Sequence, residues 1–124
     1  MRIRDHRLSG DGVQHADSPN RGGHFRPGDL DTVIIHYTAG ANAQSAIDTL
    51  CDTERKVSAH LVVARDGTVT QLLPFDTVGW HAGKSTWQGR SGLNDRSANE
   101  QYCRACESIK QSLIMLRAEY RRRV

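Results

Sequence analysis

Three histidines stand where chemistry can happen. His36 ends the apolar run of TVIIHYTAG (residues 32–40), His60 lies in VSAHLVV (57–63), and His81 follows a tryptophan in GWHAG (79–83). An imidazole moves protons near neutral pH or ligates a divalent cation. Zinc sites use His, Cys or carboxylate ligands, and catalytic ones keep a position open for water. A strand that only packs has no use for an imidazole at its tip, whereas a strand that carries a ligand to the rim of a sheet does. Neither H-x-x-x-H nor H-E-x-x-H spacing is present, so a site here must be assembled from distant segments. His60, inside a strand, is read as a hydrogen-bonded structural residue. His6, His15 and His24 sit in a polar stretch and are assigned no role. Cys51, Cys103 and Cys106 are an odd number without a disulfide framework, which suits a reducing compartment. The C-x-x-C of Cys103 and Cys106 is read as two small apolar residues on one helix face.

The elements that must position these residues follow from periodicity. Residues 1–31, rich in Gly, Asp, Asn and Arg, predict an irregular arm wrapped onto a single domain spanning 32–124. Val33, Ile34 and Ile35 form a continuous β-branched run, expected of a strand covered on both faces. Ala43, Ala46, Ile47 and Leu50 fall at helical spacing behind Asn42, a good N-cap. VSAHLVVARDGTVTQLL predicts a hairpin about Asp66-Gly67, with a type I′ turn. Residues 79–96 lack periodicity but hold both tryptophans, as a pocket-forming loop would. From the capping-box pattern Ser97-Ala-Asn-Glu100, the apolar positions Tyr102, Cys106, Ile109, Leu113, Leu116 and Tyr120 predict a long amphipathic helix. The sum is a small mixed β-sheet flanked by helices, an α/β fold.

The chain has 124 residues and a net charge of +3. Arg117, Arg121, Arg122 and Arg123 cluster late, where they complement a helix dipole. No aromatics interleave with them as a nucleic-acid stacking surface would require, so no nucleic-acid partner is expected. No stretch approaches the ~20 apolar residues of a membrane span, and no apolar region follows the early positive charge, so no membrane partner or secretory signal is expected. A cytoplasmic location is the expectation, with release by lysis the phage-type alternative.

SPNRGG (18–23), VIIHYTAG, VSAHLVVARDGTVTQLLPFD and GWHAGKSTWQGRSGLND together resemble the zinc-dependent N-acetylmuramoyl-L-alanine amidases, the family that includes anhydro-muropeptide amidases and shares its fold with peptidoglycan recognition proteins. The resemblance implies a Zn2+ hydrolase cutting the amide between N-acetylmuramic acid and L-alanine in peptidoglycan or muropeptides. His36 matches the first zinc ligand. Trp80, His81, Arg90, Asn94 and Asp95 match the loop that shapes the muropeptide cleft.

The likeness changes after Asp95. The family continues with a central strand bearing a glutamate, the candidate base, and later supplies further zinc ligands and a lysine. Here Arg96 leads directly into the expected helix, so the central strand and the later C-terminal segment are expected to be missing, leaving the catalytic residues unknown and His36 the one matched ligand. Two other readings stay open: a muropeptide-binding module without complete catalytic equipment, and a shortened homologue completed by a partner chain, with an exposed sheet edge as the route to a homo-oligomer.

Overall fold

A computed structural model describes residues 1–38 and 40–103, with side chains through Asn99. The expected helix beyond Cys103, with Cys106 and the late arginines, lies outside the described residues.

The first 31 residues are not an irregular arm. They form β1 (Arg2–Arg4), β2 (Arg7–Ser9), β3 (Val13–His15) and β4 (Arg21–His24). Arg-Ile-Arg and Arg-Leu-Ser alternate polar and apolar residues about Asp5 and His6, both at positive φ, which is the turn that lets a two-residue hairpin close with the right twist. The hairpin places Leu8 in the core.

Beyond them run β5 (Thr32–Thr38), α1 (Ala43–Cys51), β6 (Leu61–Val63), β7 (Val69–Gln71), β8 (Thr77–Gly79), β9 (Thr86–Trp87), β10 (Arg90–Ser91), a 3-10 turn (Leu93–Asp95) and β11 (Ser97–Cys103). Helix α1 forms as its spacing predicts: Asn42 Oδ1 accepts from Ser45 N–H at 2.9 Å, and Ala46 and Leu50 are buried. At nine residues, it is neither long nor apolar enough to cross a membrane.

The main sheet has the order β3-β7-β6-β11-β5. Strands β6 and β7 are antiparallel, while β11 runs parallel to both β6 and β5. This corrects two expectations. Ser97 opens a strand rather than a helix, and the central position expected to be empty is filled by residues 97–103. The hairpin turn also differs. A type I′ turn needs positive φ at both central residues, but Gly67 alone has it here (φ 89°); Gly67 N–H bonds to Ala64 O and Ala64 N–H to Thr68 O, closing a longer loop.

Ala46, Leu50, Ala59, Val62 and Leu72 form the core under α1. Leu8, Leu61, Val63 and Val69 form the core on the opposite face, under the β1–β2 hairpin. Buried Gln71 joins the layers: Oε1 accepts from Leu8 N–H at 2.7 Å, and Nε2 donates to His6 O and Leu73 O. Strand β5 alternates between a half-buried row (Thr32, Ile34, His36, Thr38) and an exposed one. Val33, Ile35 and Tyr37 are 44%, 45% and 72% exposed, so the strand is covered on one face rather than both.

Candidate functional site

The inner row of β5 carries His36 towards the segment that follows β8. The ring centroids of His36 and His81 lie 5.8 Å apart, inclined at 75°, and those of His60 and His81 lie 6.5 Å apart. Three histidines separated by 24 and 21 residues in sequence thus meet on one face of the sheet.

Their hydrogen bonds divide them. His60 Nε2 donates to Thr77 O at 2.7 Å, which leaves Nδ1 to accept from Asn99 N–H at 3.2 Å. Its ring lies near-parallel to those of Phe25 and Phe75. Both nitrogens are used, and His60 links β11 to the entrance of β8 as a structural residue. His36 Nε2 and His81 Nδ1 are shielded from solvent and have no hydrogen-bond partner among the described residues.

The tautomer of His81 follows from its surroundings. Nε2 faces Ser97 O at 3.3 Å and Ser97 Oγ at 3.2 Å. The Ser97 hydroxyl gives its hydrogen to Leu93 O, so both neighbours of Nε2 are acceptors and the ring proton sits there. The Nδ1 lone pair is left free. Burial pushes the pKa of His81 down to about 4, against the bond to Ser97 O, and burial also lowers that of His36. His81 is therefore neutral at pH 7, and burial favours the neutral form of His36, the form that ligates a cation or accepts a proton.

The segment is held by groups the sequence reading did not single out. Ser58 Oγ accepts from Trp80 N–H at 2.8 Å, and Ser58 N–H donates to Trp80 O at 2.9 Å. At Gly79 a Cβ would come within 3.2 Å of both His60 Cε1 and Leu73 Cδ1, so a side chain here would press on the His60 ring and Leu73. Ser97 and Asn99 lie in β11 and Ser58 in the segment before β6, and their polar types alone announce nothing. The SAH and ND motifs were the available signal.

The remaining expected residues spread out. Asn94 Oδ1 accepts from the backbone N–H groups of His81 (2.9 Å) and Ala82 (2.8 Å), so this side chain positions the segment. Trp80 is 37% exposed beside His81. Arg90, exposed, pairs with Asp31 at 3.3 Å, and Asp31 is also gripped by Arg96. Asp95 is exposed in the 3-10 turn, with no part in the histidine cluster. Among the described residues no group of three His, Cys, Asp or Glu side chains is arranged to hold a metal.

Comparison with known proteins completes the picture. The model of the N-acetylmuramoyl-L-alanine amidase family matches residues 26–108. The 1,6-anhydro-N-acetylmuramyl-L-alanine amidase AmpD of Citrobacter freundii is 52% identical over 42 residues, which are 34% of this chain and 22% of the length of that relative. The crystal structure of a selenomethionine derivative of AmpD superposes with a TM-score of 0.76 at 24% identity, covering 94% of this chain and 76% of that one; at that identity the likeness speaks for the fold. The amidase AmiD from E. coli, in complex with anhydro-N-acetylmuramic acid-L-Ala-D-γ-Glu-L-Lys as substrate, superposes with a TM-score of 0.54 at 34% identity over 60% of this chain and 31% of that one. With two-thirds of its residues inside the family match, the chain belongs to the N-acetylmuramoyl-L-alanine amidase family.

Proposed function

We propose that the chain binds a muramyl peptide beside the His36–His81 surface and hydrolyses the amide between N-acetylmuramic acid and L-alanine, with zinc as its cofactor. The observation that carries this reading is the meeting of His36, on a strand, with the Trp80–Asp95 segment in a member of an amidase family. The substrate bound to AmiD is of this class.

An amide is a poor electrophile, and a bound divalent cation polarises its carbonyl and lowers the pKa of bound water towards ~7. The buried, unpartnered Nε2 of His36 fits such a cation, because a neutral imidazole nitrogen without a hydrogen-bond partner is a ligand in waiting. The paired backbone of β5 and β11 holds that ring in place. Trp80 offers an apolar surface to the sugar or the lactyl methyl group. Arg90, exposed despite its bond to Asp31, offers a guanidinium to the peptide carboxylates.

The test is release of free peptide from anhydro-muramyl tripeptide, followed by mass spectrometry with zinc and with a chelator. Zinc-dependent release supports the proposal. Quenching of tryptophan emission by the same ligand without release assigns the chain to binding alone.

A further inference from the structure

We propose that Trp87 is a platform for a second pyranose ring, one linked to the muramic acid, so that the chain reads two sugars of a glycan rather than one. The inference rests on the muramyl-peptide reading above and names where that site extends.

A single exposed apolar side chain needs no explanation by itself. Trp87 is set apart by how firmly it is held in the open. The ring is 60% exposed on the β9–β10 hairpin. The two central residues of that hairpin, Gln88 and Gly89, both have positive φ (51° and 73°), the type I′ geometry that matches the twist of paired strands. Its base is closed by Gly92 N–H on Ser85 O and by Leu93 N–H on Ser85 Oγ. An indole fixed in this way loses little freedom when a ligand covers it, so the apolar contact is kept as affinity.

The register gives the direction in which the ring is displayed. Trp87 pairs directly with Arg90, so the two side chains project from one face of the hairpin. From that face Arg90 reaches Asp31 Oδ2 at 3.3 Å, just ahead of Thr32, where β5 begins. The Trp87 face is therefore turned towards the start of β5. His36 lies five residues beyond Asp31, about 16 Å along an extended strand. One sugar with its lactyl arm does not cover that distance from an amide held beside His36, and a second ring extends towards it.

The neighbours of the ring suit a sugar. The Asp31 carboxylate is held by Arg90 and Arg96, which sets an acceptor and N–H donors edge to edge at the surface. Hydroxyl and acetamido groups both donate and accept, and such a set meets them in both roles. A pyranose also lays a flat face of C–H bonds on an indole, an apolar contact with polar groups at its rim.

Dissociation constants are measured by calorimetry for anhydro-muramyl tripeptide and for the same ligand extended by one N-acetylglucosamine ring, with a chelator present so that neither is consumed. The wild-type chain is expected to bind the two-sugar ligand roughly three- to tenfold more tightly, the range of one aromatic contact. Trp87→Ala removes that advantage and leaves the one-sugar affinity unchanged, while Trp87→Phe keeps part of it. The indole N–H signal of Trp87 in the wild type, assigned by its loss in Trp87→Phe, shifts with the two-sugar ligand only. That measurement does not depend on Trp87→Ala folding. Equal wild-type affinities, or a Trp87 signal that moves with both ligands or with neither, overturn this inference and leave muramyl-peptide binding standing. Binding of neither ligand by the wild type overturns both.

Discussion

At the scale of single residues, the site is positioned by side chains that spend their polar atoms on backbone. Asn94 illustrates this. Its place in the amidase-like motif suggested contact with substrate, yet its oxygen is taken by two successive N–H groups at His81 and Ala82. Asn94→Ala strips both donors of their acceptor and is expected to cost about 1–3 kcal/mol, read as a lower denaturation midpoint with an unchanged slope. Asn94→Asp keeps an acceptor and should recover most of the loss. Equal losses in the two variants would show that the oxygen is not the group that matters. Ser18 and Asn20 work in the same way. Ser18 Oγ and Asn20 Nδ2 donate to Leu50 O and Asn20 Nδ2 to Asp52 O, covering carbonyls that α1 leaves open at its C-terminus, and Asn20 Nδ2 also reaches Val57 O in the segment beyond it. SPNRGG was legible as a motif. Its physical task was not, because the acceptors lie 30 or more residues away.

At the scale of elements, what could be read depended on whether local pattern or tertiary pairing decides. Helix α1 carries its own signals in Asn42 and the Ala46–Leu50 stripe, and was legible. Strand β11 is the opposite case. SANEQYC has no β-branched residue, and its start matches a capping box, yet it is a strand because β5 and β6 pair with it on both sides. The apolar spacing that predicted a helix lies mostly beyond Cys103. At the other end of this pairing, Asp31 N–H and Thr32 N–H donate to Arg96 O, and the Asp31 carboxylate takes the Arg96 guanidinium, with Arg90 beside it. Hydrogen bonds from Thr32 Oγ and then Arg96 hold the Asp31 carboxyl below its ordinary pKa of 3.8. A lowered carboxylate pKa means that the unfolded chain binds its proton first. The stabilisation is thus complete above the ordinary carboxylate range and is lost as pH falls through the lowered value. Asp31→Asn should lower stability at pH 7 by the ~0.2–1 kcal/mol of an exposed ion pair and flatten the acid limb of the stability curve. An unchanged acid limb would show that the staple is not formed in solution.

At the scale of the whole molecule, two small cores sandwich one mixed sheet, and the site forms where the covered face of β5 meets the segment following β8. The α/β class, the hairpin, α1 and the family were legible because each is written in local pattern or in motif order. Which histidines keep a free nitrogen was not, since that depends on Thr77, Ser97 and Asn99, brought in by other strands. The exposed face of β5 was equally hidden, because Val-Ile-Ile reads as buried on both sides whichever side is covered. Everything functional here depends on the imidazoles of His36 and His81 facing one another across β5 and the Trp80–Asp95 segment. The most direct test is a nuclear Overhauser measurement between the ring protons of these two histidines in the metal-free protein. The account predicts a direct cross-peak that disappears in His81→Ala. Absence of that cross-peak while His60 still shows contacts to Phe25 and Phe75 would contradict it, since the sheet would then be folded with His36 turned away from the segment.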